Sequence, residues 1–159
     1  KIAEDGGYDF DLLKGVIEVN EEQFDRTAAK AIELVGGDIA GKRVAAWGLT
    51  FKARTDDLRE SPSLEVLDRL RAAGAEVVAY DPAVSTSPRD GMTVVSDPYD
   101  ATDGADVLLV LTEWDDFKWL DLDVVRDRMA TPAIVGARDL LDRSGLLRRG
   151  FAFRGVGRN

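Results

Sequence analysis

The sequence predicts an α/β protein, a doubly wound and mostly parallel sheet preceded by a long N-terminal helix. Three observations carry that prediction. Short apolar runs alternate with stretches of helical period from residue 43 onward. One run, "ADVLLVLT" (105–112), is near-continuously apolar, as a strand covered on both faces must be. Finally, a helical pattern runs from about Asp9 to Val35, with no glycine or proline between Lys14-Gly15 and Gly36-Gly37.

Taken in order, the N-terminal helix would be roughly 35–40 Å long at ~1.5 Å per residue. Leu13, Val16, Ile17, Phe24, Ala28, Ala31 and Val35 form its apolar stripe, and Asn20 falls inside it. Asn20 is either a register-setting polar residue at an interface or the edge of the stripe. A boundary is expected near Gly36–Gly41. "RVAAWGL" (43–49) reads as the first strand, and "SPSLEVLDRLRAAG" follows as a helix. Ser61 is its expected N-cap, Pro62 suits the first helical position, and Gly74 is the expected stop. "AEVVAYDP" (75–82) is the second strand, which closes a right-handed βαβ unit.

The later elements are shorter. "MTVV" (92–95) is a third strand, and Asp97-Pro98 opens a short helix. After 105–112 a helical stretch falls within 121–130. "AIVGAR" (133–138) is the fifth strand, 139–149 reads as helix, and "FAFRGV" ends the sheet.

Composition narrows the chemistry. The chain has 159 residues, 45% of them hydrophobic and 32% charged, which are ordinary globular values. Its net charge of −9 argues against nucleic acid and anionic membrane as partners. No apolar run reaches the ~20 residues of a membrane span, and no signal peptide is visible. The count of His and of Cys is zero, which removes imidazole bases, thiol nucleophiles and Cys/His zinc sites. If the chain belongs to an enzyme, much of the chemistry is then expected to lie elsewhere. The absence of Cys fits a cytoplasmic origin. Lys1 in place of an initiating Met suggests a piece of a longer chain or a processed product.

In such a sheet ligands bind beyond the carboxyl ends of the strands, where strand order reverses. With the order 3-2-1-4-5-6 that crevice lies between strands 1 and 4. The loop "GLTFKARTDDLRESPS" (48–63), the segment "TEWDDF" (112–117) and Arg138 would meet there. The loop runs to about a dozen residues, against two to six for an ordinary strand-to-helix turn. Lys52, Arg54, Arg59 and Arg138 are the cations it and its neighbours offer an anion. Lys52 suits a phosphate as a point charge, Arg138 in fork geometry, and Phe51 as an apolar wall. The G-x-G-x-x-G dinucleotide fingerprint is absent, since Thr50 and Ala53 hold glycine positions. A nucleotide here would be held by side chains on a long loop.

Several of these residues have plainer readings. Asp56 and Asp57 are equally suited to hydrogen bonding inside the loop. Asp81-Pro82 reads as turn chemistry or as a ribose-binding acid. Trp114 and Phe117 read as edge-packing aromatics or as stacking platforms. Arg148 and Arg149 read as a solvated face.

The stretch "GLTFKARTDDLRESPSLEVLDRLRAAGAEVVAYDP" resembles the opening of the C-terminal, UDP-binding domain of UDP-glucose/GDP-mannose dehydrogenases. "VLLVLTEWDDF", "IVGARDLLD" and "GFAFRGVGR" extend the resemblance over residues 41 to 159. "LLKGVIEVNEEQ" resembles the helix that ends the family's central, dimerising domain, and "TEWDDF" looks most like the UDP-glucose 6-dehydrogenase branch. The resemblance implies two domains: 1–40 as the end of the central helical, dimerising domain, and 41–159 as a UDP-sugar-binding, Rossmann-like domain. It implies an NAD-dependent oxidoreductase of polysaccharide biosynthesis, which oxidises the sugar C6 alcohol to a carboxylate. The catalytic Cys and the main NAD-binding domain would precede this fragment, which would be inactive alone. Phe51, Lys52 and Arg138 match substrate-binding residues, and Arg59 matches one that reaches NAD. The implied partners are a UDP-sugar and a second copy of the chain, bound through the N-terminal helix.

One departure stands out. The family usually reads Asp-Gly-Arg-Asn where this chain has Gly136-Ala137-Arg138-Asp139. A carboxylate beside Arg138 is placed to compete for its guanidinium. Alternatives are a stand-alone regulatory nucleotide-binding module, or the matching domain of a GDP-mannose or UDP-N-acetylmannosamine dehydrogenase. A phospho-acceptor signalling domain is disfavoured, because Asp56-Asp57 lies past the strand end and the fifth strand ends in Arg rather than Lys.

Overall fold

The computed structural model describes residues 11–156. The elements are α1 (Asp11–Leu34), β1 (Arg43–Trp47), α2 (Pro62–Ala72), β2 (Glu76–Tyr80), β3 (Met92–Val94), α3 (Pro98–Thr102), β4 (Val107–Val110), a 3₁₀ turn (Asp115–Trp119), α4 (Leu122–Arg128), β5 (Ala133–Gly136), α5 (Arg143–Arg148) and β6 (Ala152–Gly155). The expected helix start at residues 9 and 10 and the end of "GFAFRGVGR" lie outside the described residues.

The sheet order is β3-β2-β1-β4-β5-β6, and every strand pairing is parallel. The expected doubly wound, Rossmann-like α/β fold is present, with its order reversal between β1 and β4. Because side chains alternate along a strand, each buried strand serves two cores. Val44, Ala46, Val107 and Leu109 pack with Ala28 and Ala31 of α1 and Leu64, Leu67 and Leu70 of α2. Ala45, Trp47, Leu108 and Val110 pack on the opposite side with Ala101 of α3, Val125 of α4 and Leu146 of α5.

Two boundaries differ from expectation for local reasons. β1 ends at Trp47 because Gly48 takes a φ of +95°, which turns the chain out of the sheet. The helix expected over 139–149 begins only at Arg143. The Asp142 carboxylate caps it, accepting from the amides of Ser144 (3.1 Å) and Gly145 (2.9 Å).

Helix α1 has 24 residues, about 36 Å at ~1.5 Å per residue. Its two halves differ. In the C-terminal half Ala28 and Ala31 are buried, and Phe24 and Ile32, with Val35 just past the helix, pack against the same cluster. Arg69 of α2 holds Asp25 at 2.6 Å, also pairs with Glu21, and lies 5.3 Å above the Phe24 ring. Lys30 Nζ donates to the Gly155 carbonyl of β6 at 2.6 Å. In the N-terminal half Leu13, Val16, Ile17 and Val19 are each at least 50% exposed, and Asn20 beside them is exposed as well. No helix among the described residues is long and apolar enough to cross a membrane.

Candidate functional site

The loop between β1 and α2 is ordered by a buried acid. Asp81, just past β2, is 3% exposed. Its Oδ2 accepts from the amides of Leu49 (2.7 Å) and Thr50 (3.2 Å) and from Trp114 Nε1 (3.3 Å), and its Oδ1 from the Ala83 amide (2.8 Å). The Asp81 carboxylate is thus spent on holding the loop. Of the two readings of Asp81-Pro82, turn chemistry describes its contacts, with a reach from β2 to the loop after β1.

The far end of the loop is closed by Ser61. It stands at the N-cap position with Pro62 behind it, but its hydroxyl donates to the Leu49 carbonyl at 2.7 Å and caps no helical amide. The expected capping role is therefore replaced by a staple between the two ends of the loop. Within the loop, the Phe51 amide donates to the Asp57 carbonyl at 2.7 Å. Arg54 and Glu60 adopt φ of +64° and +50°, left-handed values that cost a non-glycine residue about 1–3 kcal/mol each.

The expected cations fare differently. Arg59 grips Asp57 through its amide (3.0 Å), Nε (2.9 Å) and Nη2 (2.8 Å). These hydrogen bonds pull the Asp57 carboxyl down to about 2 from 3.8. Arg54 Nη2 reaches Asp115 Oδ2 at 2.7 Å, and Lys118 Nζ meets Asp115 Oδ1 at 2.8 Å. The contacts from Lys118 first, then from Arg54, hold Asp115 below its ordinary value. Lys52 is exposed and makes no ion pair with the described residues. Phe51 beside it is 46% exposed. Of the acidic pair Asp56-Asp57, Asp57 is committed to Arg59, in keeping with its reading as a hydrogen-bonding group inside the loop.

Arg138, two residues past β5, meets Glu113, three residues past β4, with Nε 3.2 Å from Oε2. The competing carboxylate is therefore Glu113, and the neighbouring Asp139 makes no ion pair with Arg138. Arg138 stands between two cavities. One, of about 170 Å³, is lined by Phe24 and Thr27 of α1, Pro62 and Ser63 of α2, and Ala137. The other, of about 260 Å³, is lined by Asp139, Arg143, Phe153 and Val156. Neither is lined by Phe51, Lys52 or Arg59, so those three share a loop while Arg138 meets only that loop's end. A further cavity, of about 650 Å³, lies beyond β2 and β3, bordered by Tyr80, Asp81, Ser85, Val95 and Asp100. Glu113 lies within the quoted "TEWDDF" and Arg143 just past "GARDLLD", but no local spacing marks either as a neighbour of Arg138.

Trp114 and Phe117 are divided by the same packing. Phe117 is 1% exposed and stacks on Trp47 at 5.4 Å, a core role, whereas Trp114 donates to Asp81. Gly48 completes the floor of the crevice. A Cβ there would lie 1.9 Å from Thr112 Oγ1, so the end of β4 approaches β1 as closely as only glycine allows.

The order reversal of this doubly wound sheet, where ligands of such sheets bind, is bordered by an ordered, charged loop. Residues 45–143 match the model of the UDP-glucose/GDP-mannose dehydrogenase family, UDP binding domain, and the chain belongs to that family. It is 37% identical to a UDP-glucose 6-dehydrogenase of Rhizobium meliloti (strain 1021), over 99% of this chain and 37% of that protein. It is 38% identical to a UDP-glucose 6-dehydrogenase of Bacillus subtilis (strain 168), again over 99% of this chain and 37% of that protein. Among solved structures, a UDP-D-ManNAc dehydrogenase of Pyrococcus horikoshii superposes with a TM-score of 0.81 at 26% identity, covering 98% of this chain and 36% of that one. A UDP-glucose dehydrogenase of Pyrobaculum islandicum gives 0.77 at 29% identity, covering 99% of this chain and 35% of that one. The chain thus spans little more than a third of the length of these relatives.

Proposed function

We propose that this chain is the UDP-sugar-binding part of an NAD-dependent UDP-glucose 6-dehydrogenase. Residues 41–159 would bind the nucleotide sugar, and 1–40 would end a central dimerising domain contributed mainly by preceding sequence. Phe51 and Lys52 would contact the substrate from the loop and Arg138 from the end of β5. The observation that carries this reading is Lys52, an exposed cation with no ion-pair partner among the described residues of a chain with 30 acids and 21 bases.

NAD, when bound, supplies the hydride acceptor for oxidation at the sugar C6. This chain's part in holding it is limited to Arg59. That side chain is 88% exposed, and Asp57 occupies Nε and Nη2, which leaves Nη1 to reach a ligand carried elsewhere. The exposed cradle suits an auxiliary contact. The chain's own chemistry is then substrate binding and orientation, in keeping with its lack of Cys and His. No hydride or proton transfer step falls to its side chains, so the fragment would be inactive alone in the cytoplasm.

A second reading, with an N-acetylmannosamine sugar, is favoured by the 0.81 TM-score of the Pyrococcus horikoshii enzyme. The test is calorimetric titration with UDP-glucose, UDP-N-acetylmannosamine, UDP and GDP, beside a Lys52→Ala variant. The reading expects uridine ligands to bind and GDP not to. Lys52→Ala should weaken them about tenfold, as loss of one charge-assisted contact does. Equal binding of UDP and GDP, or no binding at all, would overturn it.

A further inference from the structure

Arg143 opens α5 and lines the cavity of about 260 Å³ beside Arg138. Most arginines of this acidic chain are neutralised by a carboxylate within 4 Å, but Arg143 makes no ion pair with the described residues. Arg138 meets Glu113 through Nε at 3.2 Å, in an ion pair whose two side chains are both about half exposed. The Phe153 ring forms the cavity's apolar side. It can lie there because residue 136 is glycine, where a Cβ would come within 3.1 Å of the ring.

We propose that Arg138 and Arg143 are the two arms of an anion subsite that grips a phosphate group of the bound nucleotide, with Phe153 beneath its less polar part. The proposal rests on the reading of Arg138 as a nucleotide contact and adds a second residue to it. Two guanidinium forks can share one phosphate, each donating through a pair of N–H groups. A cavity of about 260 Å³ is below the ~300–1,000 Å³ of sites that enclose a whole drug-sized ligand. It suits a phosphate with part of its sugar, while the rest of the nucleotide extends toward the loop. Asp139 lines the same cavity and opposes the anion, which limits the affinity without removing the two donors.

The test is calorimetric titration of the 159-residue chain with UDP, inorganic pyrophosphate and uridine, for wild type, Arg138→Ala, Arg143→Ala and Arg143→Lys. Melting temperatures are measured alongside to verify folding. The expected result is that Arg138→Ala and Arg143→Ala each weaken UDP and pyrophosphate about tenfold. Uridine should be unaffected, and Arg143→Lys should fall between wild type and Arg143→Ala. If Arg138→Ala weakens UDP while Arg143→Ala stays within twofold of wild type, the subsite is refuted and the nucleotide reading stands. An equal loss for uridine would also refute a phosphate subsite. If UDP does not bind, or Arg138→Ala leaves it unchanged, the reading of Arg138 fails and the subsite with it.

Discussion

Asp81 Oδ2 lies 2.7 Å from the Leu49 amide, so a carboxylate past the second strand holds the backbone leaving the first. The same oxygen takes the Thr50 amide and the Trp114 indole, and thereby joins the loop after β1 to the segment after β4. Asp81→Ala would strand two buried amides at once. The expected loss is about 2–6 kcal/mol, at about 1–3 kcal/mol per unsatisfied buried group. Urea denaturation measures it, and a loss below about 0.5 kcal/mol would show that water replaces the carboxylate without penalty.

Gly48→Ala should be among the most damaging single substitutions in the chain. The new Cβ meets Thr112 Oγ1 at 1.9 Å and sits on a backbone with φ of +95°. A loss of more than about 3 kcal/mol is expected, combining overpacking with left-handed strain. Thr112→Ala in the same chain should recover part of it, because the hydroxyl and methyl are the atoms struck. A double variant no more stable than Gly48→Ala would assign the cost to the backbone and to the Thr112 Cβ, which lies 2.8 Å away and is kept by alanine.

Thr112→Val should be neutral or stabilising. Thr112 Oγ1 is buried with no hydrogen-bond partner, and replacing an unsatisfied hydroxyl by a methyl of similar shape removes a desolvation penalty. A fall in melting temperature of several degrees would contradict this.

The Asp57–Arg59 pair makes a pH prediction. The folded carboxyl titrates near 2, below its ordinary 3.8. Its stabilising contribution is therefore fully present above about pH 4 and is lost as pH falls through about 2. The pair is exposed, so this contribution is small and weakens with salt. Carboxyl NMR titration should place Asp57 near 2 in wild type and return it toward 3.8 in Arg59→Ala. No difference between the two would show that Arg59 is not the cause.

The first turns of α1 predict self-association. Leu13, Val16 and Ile17 are each at least 50% exposed, and burying one such side chain is worth about 1.5–3 kcal/mol. Sedimentation velocity should find a dimer that Val16→Asp together with Ile17→Asp converts to monomer. A wild-type monomer at high micromolar concentration would refute association through this helix.

What could be read from the sequence was what local pattern determines. The apolar run 105–112 encodes a doubly covered strand. Asp97-Pro98 encodes a helix start, and Asp97 Oδ1 does accept the Tyr99 amide at 2.7 Å. The long charged loop and the strand order followed from the same reasoning. Hidden were the contacts set by distant residues. Asp81 meets Leu49 across 32 positions, and nothing in "YDPA" distinguishes that from an ordinary turn. Ser61 has the right neighbours for a cap yet turns its hydroxyl to Leu49, because the loop returns beside its own start. Arg138 was visible as a cation but its partner was not, because Glu113 reaches it only through the β4–β5 pairing.

The bond from Lys30 to the Gly155 carbonyl fastens the last strand to the first helix. Together with buried Ala28 and Ala31, it makes the end of α1 a structural member of the sheet domain. Swinging the sheet relative to whatever the free half of α1 engages would drag residues 24–34 along as one rigid lever. The compliant point of such a swing would lie before Phe24, and the Arg69 clamp on Glu21 and Asp25 would be the catch that resists it.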